Sequence, residues 1–552
     1  MIAASTIALA CNTQPVSAPQ PVPAPAVNSK GALLTRPERT GFRETSTYAD
    51  VIAFIDSLKA GTSPFAYGSI GKTNEGREIP YLILSHPVVT TPAEAKRLHR
   101  PIVYVQGNIH AGEVEGKDAL LALVRDLLGQ RRNVLDSVIF IAIPIYNADG
   151  NERFAHQSVN RTEQNGPEMV GVRANAQGLD LNRDYVKAEA PETRASLAMF
   201  NAWDPDVFVD LHTTDGSYHG YNLTYAPSLN PAAQFGGAYA RDSLLPVLRE
   251  RMLRKRAART FDYGDFISND TLSKGWVTFD SRPRFGTNYY GLRGRIAILS
   301  EAFSHDPLQL RIATTYHFVF EILSLVAEKA PSILALSARA DAQQRSWGRA
   351  PDSVQMVAIR SELASTPDTG DVIAETLVKT DSASPEPGVK KGYLRTGKYT
   401  TLRMPLFVKF TPTLERVPPY GYALPAADTA AVRVLRLHGL DVTKMDIINT
   451  GADVPWIVES FVVDSVITAA RPFQGHRETR LKGRWVRARQ SIPAGSFVVH
   501  NGTAHALLAT YLLEPESDDG LTDWNFFDSE IARGKAFPVV RLIRVAARDF
   551  TN

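Results

Sequence analysis

His110-Ala111-Gly112-Glu113 sets a neutral imidazole and a carboxylate three positions apart, where an apolar run of the chain ends. Zinc accepts both ligand types, and a catalytic zinc needs three protein ligands with a fourth position open. One such pair is also common in ordinary solvated loops, so a third ligand decides whether it is a metal site. Asp206 to Thr214 (DVFVDLHTT) repeats the arrangement, an apolar run ending in His212. A histidine in that place is more often capped or solvated than a ligand, but two runs that deliver His and Glu to their ends change those odds. Between them stands Gly178 to Tyr185 (GLDLNRDY), and a further apolar run, 295 to 300 (RIAILS), leads into Glu301.

These groups need a frame, and hydrophobic periodicity supplies one. Residues 101 to 106 (PIVYVQ) predict a buried strand, with Gly107-Asn108 turning the chain after it. Residues 115 to 129 follow as a helix, then 137 to 145, 206 to 211 and 295 to 300 as strands. Upstream, Tyr48, Val51, Ile52, Ile55 and Leu58 keep helical spacing, and Ile70-Gly71 and 79 to 84 are strand-like. Strands separated by helices or long crossovers argue for an α/β sheet covered on both faces. His110, Glu113 and His212 then project from strand carboxyl ends, where open α/β sheets carry their sites.

As a set, His110-x-x-Glu113, Asp180-x-Asn182-Arg183, a strand ending in His212 and a strand ending in Glu301 resemble the zinc carboxypeptidases of the carboxypeptidase A and B type. Gly71 to Arg77 (GKTNEGR) is similar to that family's usual opening, and the resemblance covers about residues 45 to 325. It implies a mixed central β-sheet flanked by helices, with one zinc per chain on His110, Glu113 and His212. By the same resemblance Glu301 is the general base that takes a proton from a zinc-activated water, work a carboxylate can do because zinc lowers the water's pKa to about 7. Asn182 and Arg183 match the pair that holds a substrate's terminal carboxylate, a task that suits the guanidinium fork. Arg173 aligns with the arginine that stabilises the oxyanion, with Arg161 the competing candidate. Asp180 fits the carboxylate behind a zinc ligand, that of His110, and Asn147-Ala148-Asp149-Gly150 resembles a structural turn of the family.

Several positions depart from the pattern. Gly112 stands where many digestive relatives carry an arginine, and Asp184 where many have Asn. No tyrosine occurs in 278 to 285, where a lid tyrosine is expected; Tyr289 and Tyr290 are either substitutes or core residues. The residue that sets side-chain preference falls near Gly286 and Thr287, and no acid there favours a basic terminal residue. Arg282 and Arg284 either attract an acidic substrate group or belong to a solvated loop.

Length and composition frame the rest. The 552 residues predict two to four domains at ~150 residues each. Hydrophobic content of 44%, charged content of 22% and a net charge of +3 are ordinary, with no signature of a nucleic-acid partner. No apolar run approaches the ~20 residues of a membrane span. Ile2 to Ala10 is a short apolar stretch ending in an A-x-A cleavage pattern, followed at once by Cys11, the sole cysteine. These features predict an exported protein of a bacterial kind, periplasmic or extracellular, with Cys11 a candidate for lipid attachment. Residues 14 to 27 (QPVSAPQPVPAPAV) are expected to be a stiff spacer that holds a domain off a membrane.

The expected division is thus 1–30 as export signal and linker, 31–330 as a zinc carboxypeptidase-like catalytic domain, and 331–552 as a mainly β accessory domain of short strands with Gly and Pro turns. In the last, Glu514 to Asp519 (EPESDD) is expected to be a solvated turn. The activity implied is hydrolysis of the terminal bond of peptides with a free carboxylate. Alternatives are a zinc amidohydrolase acting on peptidoglycan stem peptides or N-acyl amino acids with the same site, and a binding protein on a degenerate peptidase fold.

Overall fold

Val103 and Val105 point to one side of their strand and Ile102 and Tyr104 to the other, and all four are buried. An apolar run of this kind belongs in the middle of a sheet covered on both faces. The computed structural model describes residues 14–17, 22–23, 33–130, 134–268, 272–348, 355–381, 384, 386–445 and 455–545. It builds that sheet from β1 (Ala66–Lys72), β2 (Glu78–Leu84), β3 (Ile102–Gly107), β4 (Ile139–Ile143), β5 (Val207–Thr213), β6 (Leu223–Pro227), β7 (Thr260–Asp262) and β8 (Ile296–Ala302). Their order is β7-β6-β8-β5-β3-β4-β2-β1. Strands β8, β5, β3 and β4 run parallel to one another, and β6, β2 and β1 join antiparallel to their inner neighbours. The sheet is therefore mixed, with four parallel strands at its centre.

Helices cover both faces. α1 (Glu115–Leu128) and α3 (Leu308–Glu328) pack together on the side of Val103 and Val105, and α2 (Pro191–Trp203) sends Leu197 and Phe200 to the side of Tyr104 and Phe208. α3 is long and apolar enough to cross a membrane by length and composition, but 78% of its apolar stretch is buried inside the molecule. It is a core helix, held by the same burial that makes it apolar.

The C-terminal half is mainly β. The hairpin β9 (Asp368–Lys379) and β10 (Tyr393–Phe407) pairs along its length, and a six-stranded sheet includes a second long hairpin, β11 (Trp456–Thr468) and β12 (Thr479–Gln490). This half interlocks with the first: β10 runs parallel to Trp276–Val277, and Gly220 N–H donates to the Ile373 carbonyl at 2.9 Å. One apolar core continues from Phe200 and Tyr290 to Tyr422, Phe461 and Leu508.

Two expectations need correction here. The described parts of the proline-rich stretch lie against the body and do not stand off it. Gln14–Val16 pairs antiparallel with β10, Val22 is buried in the core, and the Pro23 carbonyl accepts from His317 Nε2 at 2.9 Å. A short strand that contains proline is tolerated at a sheet edge because the missing N–H faces away from the ladder. Cys11 and the apolar stretch before it lie outside the described residues.

Glu514 to Asp519 is no solvated turn, since Glu514 and Asp519 are fully buried. Asp519 accepts from the Arg284 backbone N–H at 2.6 Å, from Arg284 Nε at 2.9 Å and from Trp524 Nε1 at 3.0 Å. Arg284, itself buried, also donates to Glu478 at 2.7 Å, and Arg282 pairs with Asp280. Arg284 is therefore not a solvated residue, and Arg282, about a quarter exposed, is held by Asp280. A guanidinium buried in a loop needs carboxylate partners, and the C-terminal half supplies them. Arg284→Ala should therefore strand the Asp519 charge and cost about 3–5 kcal/mol in a urea titration; a loss below about 1 kcal/mol would exclude the pair as the loop's anchor.

Candidate metal centre

Asn108, at φ +67°, ends β3 in the left-handed region that Asn tolerates, and its side-chain amide donates to the Ala111 carbonyl at 3.2 Å. The turn it opens closes with Glu113 N–H donating to the His110 carbonyl at 3.0 Å, so both side chains face one point. β5 brings His212 to the same point, and Glu301 on β8 is in register with it. One Glu113 oxygen lies 3.0 Å from His110 Nδ1 and the other 2.9 Å from His212 Nδ1, while the two Nδ1 atoms are 3.2 Å apart.

Both imidazoles are backed by carboxylates. His110 Nε2 is 3.0 Å from Asp180 Oδ1, and His212 Nε2 is 3.0 Å from Asp210 Oδ2. The Asp210 contact is off line for a hydrogen bond but close enough for strong attraction, and Gln106 Nε2 fixes its other oxygen at 3.1 Å. A carboxylate behind Nε2 favours the proton there and leaves the Nδ1 lone pair for a cation. Ligand atoms of His110, Glu113 and His212 lie within 4.8 Å of one another, and all three residues are buried. Two histidines, one carboxylate and an open side suit one zinc ion. Asp210 was missed in the sequence, although its signal was there: in a strand it shares a face with His212, two positions on.

Charge around the triad is closely balanced. Burial pushes the Glu113 carboxyl up, but His110 and Arg161 outweigh it and hold the group well below the usual range. His212 is pulled down by burial, yet Asp210 and Glu113 keep its imidazolium well above its ordinary value. Glu301 is pushed well above the carboxylate range, first by burial and then by Glu113 and Asp215, against the opposing pull of His212 and Arg161.

The two candidate arginines divide. Arg161 is buried, donates to Glu113 at 3.1 Å and to the carbonyls of Thr213 and Thr214 at 3.1 and 2.9 Å. A Cβ at position 112 would come within 2.7 Å of Arg161 Cγ and 2.9 Å of the Gly171 carbonyl, so glycine is required there by a side chain from another loop. Arg173 donates from Nε to Asp180 at 2.9 Å and lines a cleft of about 130 Å³ together with the metal-ligand triad, Glu301 and Arg183.

The clamp candidates also lie in this cleft. Asn182 Oδ1 accepts from Gly286 N–H at 2.9 Å. Arg183 stacks on Phe285, its guanidinium 3.9 Å from the ring centroid, and forms no ion pair among the described residues. Asp184, for which the sequence offered no account, accepts from Lys187 Nζ at 2.6 Å and from the N–H groups of Glu189 and Ala190 at 3.1 and 2.8 Å, bracing the loop after the clamp. Asn147 donates to the carbonyls of Ile109 and Arg173, both at 3.2 Å, and so ties the ligand turn to the arginine loop.

Tyr289 and Tyr290 are core residues: Tyr289 bonds His438 at 2.7 Å and Tyr290 stacks on Phe200. The tyrosine in the cleft is Tyr263, just beyond β7, its ring packed on Phe279. Burial and then the nearby Glu301 raise its phenol well above the ordinary value. It lies upstream of the window where a lid tyrosine was expected, and no local pattern marks it.

The chain is similar to known proteins over part of its length. Residues 51–243 match the family described as zinc carboxypeptidase. The chain is 23% identical to carboxypeptidase 2 of Trichophyton equinum over 495 residues, covering 85% of this chain and 81% of that protein. It is 35% identical over 182 residues to the catalytic chain of human carboxypeptidase N, covering 30% of this chain and 37% of that one. A metallo-carboxypeptidase from Burkholderia cenocepacia superposes with a TM-score of 0.36 at 19% identity, covering 51% of this chain and 70% of that chain.

Removing the carboxylate behind His110 should weaken the centre. Asp180→Ala is expected to lower zinc affinity about 10–100-fold in competition with a chelating dye; an unchanged affinity would show that Asp180 does not orient the ligand.

Proposed function

Because the chain carries a zinc carboxypeptidase domain, and is thereby a hydrolase of the metallopeptidase class, we propose that it removes the terminal residue from the carboxyl end of peptides, with the chemistry in residues 31–330. The observation that carries this reading is Arg183: a guanidinium in the cleft with an aromatic ring beneath it, one nitrogen on the Asn182 carbonyl and no ion pair among the described residues. A free terminal carboxylate is the matching ligand, bound by two parallel hydrogen bonds. Asn182 assists through its Nδ2, which donates to no described residue while its oxygen is held by Gly286.

A zinc ion on His110, Glu113 and His212 would acidify the attacking water and polarise the scissile carbonyl. Glu301 accepts the proton of that water at its carboxylate and delivers it to the leaving amine nitrogen. Its burial beside Glu113 raises its affinity for that proton in transit. Arg173, fixed through Nε by Asp180 and with Nη1 3.4 Å from Glu113, lines the cleft and supplies positive charge where negative charge develops on the carbonyl oxygen. Arg161 holds Glu113 from behind and stays out of the reaction.

Glu301→Gln should reduce kcat by about 10²–10⁴ with zinc content unchanged, and Arg183→Ala should abolish the preference for a free carboxylate over its amide. Full turnover in Glu301→Gln would sink the mechanism. Faster cleavage of purified stem peptides than of blocked dipeptides would favour the amidohydrolase reading instead.

Side-chain preference follows from the lining. Phe279, Phe285, Thr287 and Leu299 face the cleft, while Glu113 is already paired and Asp215, 70% exposed, sits at the rim. Apart from Glu301, assigned to the proton transfer, no carboxylate among these lining residues is left to balance a buried terminal Lys or Arg. Peptides ending in Phe or Leu should have kcat/KM values at least about tenfold above those ending in Lys, and Thr287→Asp should narrow the ratio. Equal rates for the two classes would refute this assignment of the pocket.

A further inference from the structure

The tip of the β11–β12 hairpin, far from the catalytic residues in sequence, reaches the back of the metal centre. Phe473 and His476 exchange backbone hydrogen bonds of 2.7 and 2.9 Å, and the two residues between them, Gln474 and Gly475, have φ of +48° and +84°. A two-residue hairpin turn with both central residues at positive φ favours Asn, Asp or Gly at the first of them. Gln474 breaks that preference, and its side chain has a use. Gln474 Oε1 accepts from the backbone N–H of Asp180 at 2.9 Å.

Asp180 is the residue through which this contact bears on the centre. Its Oδ1 takes His110 Nε2 at 3.0 Å and Asn182 N–H at 2.9 Å, and its Oδ2 takes Arg173 Nε at 2.9 Å. Its side chain is thus committed to a metal ligand and two cleft residues, and its main chain is tied to the hairpin. Asn and Asp, the residues the turn prefers, are one methylene shorter than Gln and fall short of the reach that Gln474 uses. The hairpin tip is itself fixed to the same region: His476 Nε2 lies 2.9 Å from Glu189, and Glu478 accepts from Arg284 at 2.7 Å.

We propose that Gln474 is a positioning residue of the metal centre, setting Asp180 and through it the orientation of His110. The C-terminal half is then part of the catalytic apparatus. The inference rests on the zinc carboxypeptidase reading of the cleft, but its first readout is metal binding.

Gln474→Gly suits the turn backbone and removes the acceptor, whereas Gln474→Glu keeps an acceptor oxygen at the same reach. The metal-free Gly variant should melt no lower than the parent, yet release zinc to a chelator about three- to tenfold faster, below the 10–100-fold typical of a group that touches the ligand itself. Its kcat should fall by a similar factor with KM little changed, and Gln474→Glu should return both rates to within about twofold of the parent. Zinc release within twofold of the parent in a folded Gly variant would overturn the proposal, whether or not kcat falls. Should the parent protein cleave no peptide, the peptidase reading fails while the zinc-release rates still decide the role of Gln474.

Discussion

Asp180 is the constraint on which the rest of the site depends. The ends of β3, β5 and β8 bring buried imidazoles and carboxylates into one cleft, where an uncompensated charge costs several kcal/mol. Asp180 answers a histidine, an arginine and a backbone N–H with two oxygens, and so fixes the ligand, the cation of the cleft and the first turn of the clamp together. Those three groups have a single geometry because they share one carboxylate. Second supports of the same kind recur around it: Asp210 behind His212, Arg161 behind Glu113, Asp184 behind the clamp loop.

Neutralising Glu113 illustrates how local sequence and spatial arrangement part company. Position 112 carries no cation, yet a cation stands beside Glu113, because Arg161 crosses over Gly112 from another loop. The absence of a side chain at 112 makes room for one from 161. Glycine here is a packing requirement.

Much of the frame was legible because it rests on local signals. Runs buried on both faces, as in 101–106 and 206–211, have a one-dimensional signature, and the turn at Gly107-Asn108 has a conformational one. The triad was marked by its residue types and spacing, and Asp180, Arg183 and Glu301 by the family resemblance of their motifs; the chain brings the triad, Arg183 and Glu301 to one cleft, with Asp180 behind His110. What escaped detection was set by contacts between distant segments. EPESDD has the composition of a solvated loop, and partners from distant segments make its burial tolerable, Arg284 for Asp519 and Tyr422 with Arg541 for Glu514. Tyr263 carries no periodic mark, since its place follows from pairing beyond β7. Asp184 acquires a reason only once the loop to Ala190 is seen closing on it.

The walls of the cleft explain why the two halves are not separable in function. One wall is the clamp loop, whose Asp180 and Glu189 are held by the β11–β12 hairpin. The other is the loop from Thr278 to Gly286, whose Thr278 N–H donates to the Phe407 carbonyl and whose Arg284 is anchored on Asp519. Gly286 then bonds Asn182 and joins the two walls. Phe279 and Phe285, which line the pocket, hang from a loop that is tied at both ends by these anchors. Pocket shape in the first half is therefore a property of residues contributed by the second, and changes far along the chain act on the cleft without touching a ligand.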